Sequence, residues 1–401
     1  MQQSQASKGF IYFLLICMIL AGASNTIVYK LQNSSTLNGK AFYHPFMQAV
    51  TMFVGEFSCI FLFLWFKTFK KDQYEQEVLE AKANQLETKM NYFWLIIPAA
   101  ADFFTSNLQY IALNFINPSI YQMLRGGVIL VTTLFTIFFL KKKLQLFNYI
   151  GCSLAVIGVG IVGLSNLVFK NSNDQKDTSK AAVAMGLILI SLITNGILFV
   201  SEEKLFSKYY LHPFQVVGTE GFWGLVIYAI ALPALSYAKC SLPTDACVNV
   251  GTDQSPDYRY EYPGLYFEQF ASGILGFWII LGVFTIAAFN VCGVNITKHV
   301  SSLARSVVDV SRTVIVWIFG IILTVSSSNP NYQWENLNAG AIVVEAIGFV
   351  ILVVGNCIYN KIIILPFARP KDENQMLLDN AQKQVSLQVE TSKSKSESFH
   401  N

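Results

Sequence analysis

The sequence predicts an all-α polytopic membrane protein whose ten transmembrane helices form two inverted five-helix repeats. The first observation is composition, since 53% of the 401 residues are hydrophobic and 13% are charged, with a mean hydropathy of +0.45. The second is a series of apolar runs of about 20 residues, the length that crosses a bilayer core of ~30 Å. The third is a similarity between the two halves of the chain. Backbone groups find no water at that depth, so continuous apolar runs predict helices.

The ten apolar runs are predicted as membrane spans. The first begins after Lys8 and reaches Tyr29. A signal peptide has an apolar core of only about 7 to 15 residues, so this run is kept as a helix. In chain order the predicted spans are 9–31, 45–66, 92–113, 118–140, 146–169, 182–206, 213–237, 271–296, 301–325 and 337–365.

Residues of the first half recur in order in the second half. The offset grows from 168 to 190 and changes only where polar linkers intervene, as expected for a duplicated unit that has drifted in its loops. The matching pairs are His44/His212, Pro45/Pro213, Phe46/Phe214, Thr51/Thr219, Asn107/Asn290, Ser119/Ser302, Asn148/Asn338, Ile157/Ile347, Gly158/Gly348 and Asn166/Asn356.

The repeat and the polar segments predict the domain organisation. A cytosolic N-terminus covers 1–8 and a first repeat covers 9–169. A linker at 170–181 leads to a second repeat at 182–365, and 366–401 is polar and predicted to be a disordered cytosolic tail.

The distribution of Lys and Arg predicts the orientation. With a cytosolic N-terminus, the cytosolic segments hold 18 of the 28 basic residues, including the cluster at 141–143, and the opposite side holds seven. The positive-inside rule therefore places both termini in the cytosol. Each repeat has an odd number of spans, so the second copy enters the membrane upside down relative to the first.

Few segments outside the membrane carry a signal. The charged stretch 70–89 predicts a surface helix. Cys240 and Cys247 share a non-cytosolic loop and are a candidate disulfide, which the lumen of a secretory or endosomal organelle permits. Asn33 begins a glycosylation sequon on the same side, close to the membrane.

The tail contains one short motif. Glu373 is followed after three residues by Leu377 and Leu378. This spacing matches the acidic dileucine signals that endosomal and lysosomal sorting adaptors bind. The alternative is a chance match in a polar segment.

Ionisable residues inside the predicted spans are costly there and usually face a cavity or a partner. In the ninth span, Arg305, Asp309 and Arg312 are four and three residues apart, so they share one helix face. They predict either a salt-bridge ladder that fixes the helix or a cavity wall that also binds substrate. Eight such residues are singled out: Glu56, Asp102, Arg125, Glu220, Arg305, Asp309, Arg312 and Glu345.

The fourth and seventh spans add further polar side chains. In the fourth, Tyr121 precedes Gln122 and Arg125, which are spaced as an i to i+3 pair. In the seventh, Glu220 follows Thr219 and could pair with an arginine, take a coupling proton or attract a cationic solute. The candidate substrate-binding residues are Tyr121, Gln122, Arg125, Asn195, Thr219, Glu220, Asn290, Arg305, Asp309 and Arg312.

The remaining polar residues are interpreted as structural. His44 and His212 precede prolines and are predicted as helix caps, while Asn25, Tyr29 and Lys30 are predicted as interfacial anchors closing the first helix. No Cys or His cluster has zinc spacing, and no strand is expected that a phosphate-binding glycine loop could follow. We therefore predict no catalytic residue, metal, cofactor or nucleic-acid partner.

Four motifs carry a family resemblance. Together they resemble subfamily F of solute carrier family 35, which is related to nucleotide-sugar transporters and belongs to the drug/metabolite transporter superfamily. The resemblance covers 9–364 and leaves out the tail. The motifs are Gln122-Met123-Leu124-Arg125-Gly126, Ser201-Glu202-Glu203-Lys204, His212-Pro213 with Gly218-Thr219-Glu220-Gly221, and Arg305-x-x-x-Asp309-x-x-Arg312-Thr313-x-x-x-Trp317.

The resemblance implies ten helices around a central cavity that opens alternately to the lumen and the cytosol. It also implies residence in a lysosomal or other endomembrane. It does not imply a substrate.

The expected function is secondary-active transport of a polar organic solute by alternating access, with the site near the membrane midplane between the repeats. The expected partners are that solute, protons, the lipid bilayer and a sorting adaptor on the tail. If all eight ionisable residues singled out within the spans are charged, their net charge is −2. This charge favours proton coupling or a cationic solute over a nucleotide sugar. The first alternative is a nucleotide-sugar exchanger of the Golgi or endoplasmic reticulum. An alternative of another class is a non-transporting scaffold or receptor.

Overall fold

The structure, a computed structural model, describes residues 7–37, 40–116, 118–168, 178–240, 247–251, 255–327, 329, 332–335 and 337–366. The helices are α1 (Lys8–Asn33), α2 (Pro45–Phe69), α3 (Lys71–Ala83), α4 (Ile96–Phe115), α5 (Pro118–Arg125), α6 (Val128–Phe138), α7 (Leu146–Val168), α8 (Thr178–Lys208), α9 (Pro213–Tyr237), α10 (Pro263–Phe270), α11 (Gly273–His299), α12 (Ser302–Ser311), α13 (Thr313–Ser326) and α14 (Ala339–Tyr359). The strands are β1 (Thr36–Leu37), β2 (Lys40–Ala41), β3 (Val248–Asn249) and β4 (Tyr258–Arg259).

Within the described residues, seven helical segments are long and apolar enough to cross a membrane. They lie in α1, α2, α8, α9, α11, the α12 and α13 pair, and α14. Helix α6 and the first part of α7 are apolar but shorter, and α4 carries buried polar side chains such as Asn107 and Gln109. The described chain is therefore a polytopic all-α membrane protein.

Two spans predicted as single helices are each divided in two. The fourth span consists of α5 and α6. The Gly126 N–H donates to Gln122 O, four residues back, at 3.2 Å, whereas the Gly127 N–H donates to Leu124 O, three residues back, at 3.1 Å. This change in the hydrogen-bonding pattern divides the helix. The ninth is α12 and α13. There the Thr313 hydroxyl donates to Val310 O three residues back, a side-chain bond that competes with the regular helix ladder.

The bundle is built from helix pairs. Helix α1 packs on α11, α2 on α9, α4 on α8 and α7 on α14. In the last pair the backbones touch: a Cβ atom on Gly158 would lie 2.6 Å from Gly348 O, and one on Gly348 would lie 2.8 Å from Gly158 O. Small residues allow this close approach, which favours helix association in membranes.

The two ends of the bundle differ. On the terminal face, defined as the end where α1 begins and α14 ends, the rings of Phe10 and His299 lie 6.1 Å apart. The Ser301 and Tyr359 hydroxyl oxygens lie 3.4 Å apart on the same face. The surface helix predicted at 70–89 is observed as α3.

The opposite face carries the strands. Thr36 pairs with Ala41 in one antiparallel ladder and Val248 with Arg259 in the other. The expectation of no strands was wrong. Antiparallel strands can be joined by a short turn, so these two-residue ladders can form in the loops outside the helices. Cys240 and Cys247 form a disulfide that joins the end of α9 to β3. Helix α1 ends at Asn33, two residues beyond its predicted limit.

Candidate functional site

A small cavity of about 60 Å³ lies at the centre of the bundle. Its wall is built by α1, α2, α4, α5, α8, α11 and α12, with Arg312 at the break between α12 and α13. Three candidate residues do not line it, namely Gln122, Thr219 and Glu220. Seven do: Tyr121, Arg125, Asn195, Asn290, Arg305, Asp309 and Arg312.

Asp309 is the centre of a charged group that joins the two divided spans. Its Oδ2 lies 3.3 Å from Arg125 Nη2, and its Oδ1 lies 3.1 Å from Arg312 Nε. The second contact is an ion pair without a hydrogen bond, since neither atom has a hydrogen-bond partner among the described residues. We call Arg125, Asp309 and Arg312 the arginine centre. It holds two guanidinium groups against one carboxylate.

Aromatic rings and a carbonyl hold the two guanidinium groups in place. Arg125 lies over the Tyr121 ring at 5.3 Å and Arg312 over the Phe289 ring at 4.6 Å. Arg312 Nη1 also donates to Gly22 O at 3.2 Å. Cation–π contacts are strongest where water is excluded, so the rings stabilise charges that the single carboxylate cannot neutralise.

Arg305 does not belong to the arginine centre, although the predicted stripe includes it. Its Nη1 donates to Glu202 of α8, and its guanidinium lies 4.3 Å from the centre of the Phe199 ring. The stripe is therefore split between two ion-pair groups. Glu202 lies inside the predicted span 182–206, as does Glu203, so membrane depth alone could have identified both as site candidates.

Three further carboxyl groups lie beside Arg305. The Asn290 amide donates to Glu56 Oε1, and Ser106 Oγ donates to Asp102 Oδ1 at 3.0 Å. Glu220 is placed by α9 against α2, and its Oε1 has no hydrogen-bond partner among the described residues. Of these three groups, Asp102 lines the cavity.

The candidates that do not line the cavity make other contacts. Thr219 Oγ1 donates to Gln215 O of its own helix at 2.7 Å. Gln122 Nε2 donates to Thr26 Oγ1 at 2.8 Å, so Gln122 supports a cavity residue of α1 rather than Arg125. The remaining buried carboxyl of the predicted set, Glu345, accepts a hydrogen bond from Trp317 Nε1 at 2.6 Å.

Polar residues that were not among the candidates also form the wall. Tyr121 OH donates to Gln109 Oε1 at 3.1 Å, and both residues line the cavity. Asn25 and Tyr29 line it too, so their interpretation as interfacial anchors was wrong. The reason is that their side of α1 is buried against other helices, where Tyr29 packs on Tyr110 of α4 and Asn25 accepts a hydrogen bond from Thr285 of α11.

Polar latches close the bundle on both sides of the cavity. On the terminal face, Glu203 accepts hydrogen bonds from Lys142 Nζ and from the backbone N–H of Ser302 at the start of α12. Towards the opposite face, Lys30 Nζ donates to Leu113 O at 3.1 Å and to Ile116 O at 3.5 Å, at the end of α4. We call these the Glu203 latch and the Lys30 latch.

The histidines lie away from the cavity. His44 and His212 occupy the N-cap positions of α2 and α9, but neither side chain makes a capping hydrogen bond. His44 Nδ1 instead lies 2.5 Å from Glu261 Oε1. Among the described residues, no three His, Cys, Asp or Glu side chains are grouped to hold a metal ion. The predicted sorting residues Glu373, Leu377 and Leu378 lie outside the described residues.

The chain is similar to known membrane carriers. The family model "nucleotide-sugar transporter" matches residues 6–211. Solute carrier family 35 member F6 from Rattus norvegicus is 32% identical over 355 residues, which cover 87% of this chain and 88% of the relative. The human member F6 is also 32% identical, over 365 residues with the same coverage.

Two more distant similarities were found. A UDP-N-acetylglucosamine transporter from Rattus norvegicus is 24% identical over 194 residues, which cover 47% of this chain and 58% of the relative. A solved crystal structure superposes with a TM-score of 0.51 at 10% identity, covering 88% of this chain and 96% of the other. At that identity the superposition indicates the fold alone.

Proposed function

The chain belongs to the nucleotide-sugar transporter family and to subfamily F of solute carrier family 35, and from this membership we propose that it moves a polar organic solute across an endomembrane by alternating access. The resemblance drawn from the four motifs is confirmed. The chain is thus a multi-pass solute transporter of endomembranes and not an enzyme. Lysosomal residence, cytosolic termini and binding of a sorting adaptor are part of the proposal.

Helix pairing supports ten spans in two inverted repeats. An inverted repeat relates the first span to the sixth and the third to the eighth. It therefore predicts that the contact of α1 with α11 is matched by a contact of α8 with α4, and both pairs pack together. The second and seventh spans, α2 and α9, pack on each other, and so do the fifth and tenth, α7 and α14. The fourth and ninth spans are both divided beside the cavity.

The two latches support alternating access. A cavity of about 60 Å³ holds a few water molecules, whereas ligand pockets usually measure about 300–1,000 Å³. A solute can enter only if the helices separate on one face. Opening the terminal face requires release of the Glu203 latch, and opening the opposite face requires release of the Lys30 latch. Release of one latch at a time would expose the cavity to one compartment.

The arginine centre is the observation that carries the proposal. Two guanidinium groups share Asp309, and Arg125 Nε has no hydrogen-bond partner among the described residues. The charged residues that line the cavity carry a net charge of +1, in contrast to the −2 of the eight residues singled out in the sequence: Asp102, Arg125, Arg305, Asp309 and Arg312. The arginine centre alone carries the same +1. A polar solute with an anionic group would complete the centre, because guanidinium groups bind carboxylate and phosphate with paired hydrogen bonds.

A nucleotide-sugar exchanger is the second candidate. The similarity to a UDP-N-acetylglucosamine transporter favours it, as does the positive sum over the cavity. Its substrate is much larger than the cavity and would require a wide separation of the helices.

Counterflow in proteoliposomes tests the proposal. Purified protein is loaded with one unlabelled solute at a time, from a set of carboxylates, zwitterions, cations, nucleotides and nucleotide sugars, and uptake of the labelled form is followed. We expect exchange of a carboxylate or zwitterion that is lost in Arg125→Gln. Exchange restricted to nucleotide sugars would favour the second candidate. A purified, folded protein that exchanges no solute would favour the scaffold or receptor.

A further inference from the structure

Four acidic side chains from four helices lie together, with Asp102 in the cavity wall and the other three behind it. Glu56 of α2, Asp102 of α4, Glu202 of α8 and Glu220 of α9 are electrostatic neighbours of one another, and Arg305 is the positive charge that they share. We call these four residues the carboxyl cluster. Arg305 hydrogen-bonds Glu202 within it, so the remaining acidic groups are left without a full counter-charge.

Backbone contact fixes two of the four groups side by side. A Cβ atom on Gly221 would lie 2.3 Å from Phe57 N, and one on Gly218 would lie 2.6 Å from Ile60 N. Glycine at both positions lets α9 rest directly on α2. Glu220 and Glu56, next to these contacts in sequence, cannot move apart unless the two helices separate.

The carboxyl cluster contains buried oxygen atoms that lack hydrogen-bond partners. The exposed fraction is 2% for Glu56, 1% for Glu202 and 6% for Glu220. Glu56 Oε2, Glu202 Oε1 and Glu220 Oε1 accept no hydrogen bond from any described residue. A buried carboxylate oxygen that is unpaired loses the full free energy of its hydration. These atoms are therefore positioned to bind a proton or a cation.

The net charge of the cluster also favours binding of a proton or a cation. Four carboxylates against the Arg305 guanidinium give −3 if all ionise, since Arg125, the other positive neighbour of Asp102, is paired with Asp309. Each unpaired charge at membrane depth costs several kcal/mol. One proton on a carboxyl oxygen removes a charge and needs no further ligands. A sodium ion would need several oxygen ligands at once, and most backbone carbonyls here are engaged in the helix hydrogen bonds of α2 and α9.

We propose that the carboxyl cluster is the binding site of the coupling proton, separate from the arginine centre that binds the solute. This inference rests on the proposed transport function. Asp102 faces the cavity and neighbours Glu56, so it is the group through which a proton passes between cavity water and the cluster. An O–H bond forms on one carboxylate as the donor water or carboxyl gives up its own proton.

Proton binding is connected to the solute site through one helix. Protonation of a carboxylate in the cluster weakens the electrostatic attraction between the cluster and Arg305. Arg305 lies on α12, as does Asp309 of the arginine centre. Movement of α12 then changes the contacts of Arg125 and Arg312. The proton and the solute therefore act on the same element, which is the requirement for coupled transport.

Two assays on the same proteoliposomes separate this inference from the transport function. Counterflow at equal pH measures solute binding and alternating access, and accumulation driven by a pH gradient measures coupling. Wild type is expected to perform both. Glu220→Gln and Glu56→Gln are expected to keep counterflow within about threefold, since neither residue lines the cavity, and to lose accumulation. Glu345→Gln, a buried carboxyl outside the cluster, is the control and keeps both activities.

The outcomes are distinct. Absence of counterflow in wild type contradicts the transport function and not the cluster. Accumulation retained by Glu220→Gln, by Glu56→Gln and by the double variant overturns the cluster as the proton site, and so does accumulation driven by a sodium gradient. Glu220→Asp keeps a carboxyl and is expected to keep accumulation with a shifted pH dependence. If Asp and Gln variants lose accumulation equally, the side chain is structural and the inference fails.

Discussion

Arg125 Nη2 lies 3.3 Å from Asp309 Oδ2, which ties the end of α5 to the middle of α12. The two residues are 184 positions apart and belong to the two divided spans. An ion pair at this depth is retained only when its geometry stabilises both charges. Here Asp309 also faces Arg312, so removing the carboxylate leaves two buried guanidinium groups without a counter-charge.

The first prediction tests whether the arginine centre binds solute or only holds helices. Asp309→Asn is expected to lower the stability of the folded protein by about 3 kcal/mol, because it orphans buried charge. Adding Arg312→Gln restores the original net charge of the centre and is expected to recover most of that stability. The double variant should nevertheless stay inactive in counterflow. Thermal unfolding in detergent and solute uptake measure the two effects, and a double variant that regains transport would show that the pair is structural.

The arginine centre was only partly predictable from the sequence. Helix spacing was enough to predict that Asp309 and Arg312 share a face, and the apolar runs were enough to locate the spans. The break at Gly126 was not predicted, because 118–140 was taken as one apolar run, although the segment before the two glycines is much less apolar than the segment after them. The Glu202 partner of Arg305 was not predicted either, since it comes from a helix about 100 residues earlier and one sequence carries no record of such contacts.

A second limit concerns helix ends. Asn25 and Tyr29 were interpreted as interfacial because the first apolar run was taken to end at 31. Neighbouring helices cover both side chains instead: the Tyr29 ring lies 4.8 Å from the Tyr110 ring of α4, and Thr285 Oγ1 of α11 donates to Asn25 Oδ1 at 3.2 Å. Polar residues near the end of a span are ambiguous between the interface and the interior until the neighbouring helices are known.

The second prediction concerns acid stability. Burial, followed by the charge of Lys298, lowers the pKa of His212 from 6.5 to about 3, and the ring lies stacked 4.7 Å from Phe66. The folded protein therefore binds fewer protons than the unfolded chain between these values. Its contribution to stability is present above the unfolded pKa and is lost as the pH falls, by roughly 1 kcal/mol per pH unit.

Melting temperature measured between pH 7 and pH 5 tests this. We expect His212→Gln to melt with a weaker pH dependence than wild type, because Gln does not titrate. His400→Gln, in the predicted tail, is the matched control. An identical pH dependence in wild type and His212→Gln would show that His212 is not the responsible group.

The third prediction concerns the tail. If Glu373, Leu377 and Leu378 form an adaptor signal, Leu377→Ala combined with Leu378→Ala should move the protein from late endosomes or lysosomes to the cell surface. The apolar spans are untouched, so the amount of folded protein should not change. Surface biotinylation measures the shift, with Val385→Ala and Leu387→Ala as a control pair in the same tail. An unchanged distribution would make the motif dispensable.

The fourth prediction concerns topology. Ten spans and an excess of basic residues on one side place both termini in the cytosol. In sealed vesicles with the cytosolic side outward, protease should remove tags at both ends of the chain. A tag on the loop that contains Cys240 should resist until detergent is added. Protection of either terminus would overturn the proposed ten-span topology.

The last prediction concerns the two latches, whose release should expose the cavity to opposite sides. Glu203→Gln removes the charge that holds Lys142 and weakens the acceptor for the Ser302 N–H. Lys30→Met removes the donor to the carbonyls of Leu113 and Ile116. A bias of about 1 kcal/mol changes the ratio of two conformations about fivefold. A cysteine at Asn195, in the cavity wall, reports the result after the free cysteines are replaced: Cys17, Cys59, Cys152, Cys292 and Cys357.

In sealed vesicles, Glu203→Gln should speed labelling of the Asn195→Cys reporter by an impermeant maleimide on the terminal face. Lys30→Met should speed labelling from the other side. Glu75→Gln breaks only the exposed pair with Lys71, whose atoms lie 3.6 Å apart. Exposed pairs contribute little, so this control should label as wild type does. Equal acceleration from both faces in either latch variant would mean that the bundle loosens as a whole. Alternating access would then need a different gate, because each latch must close one face while the other opens.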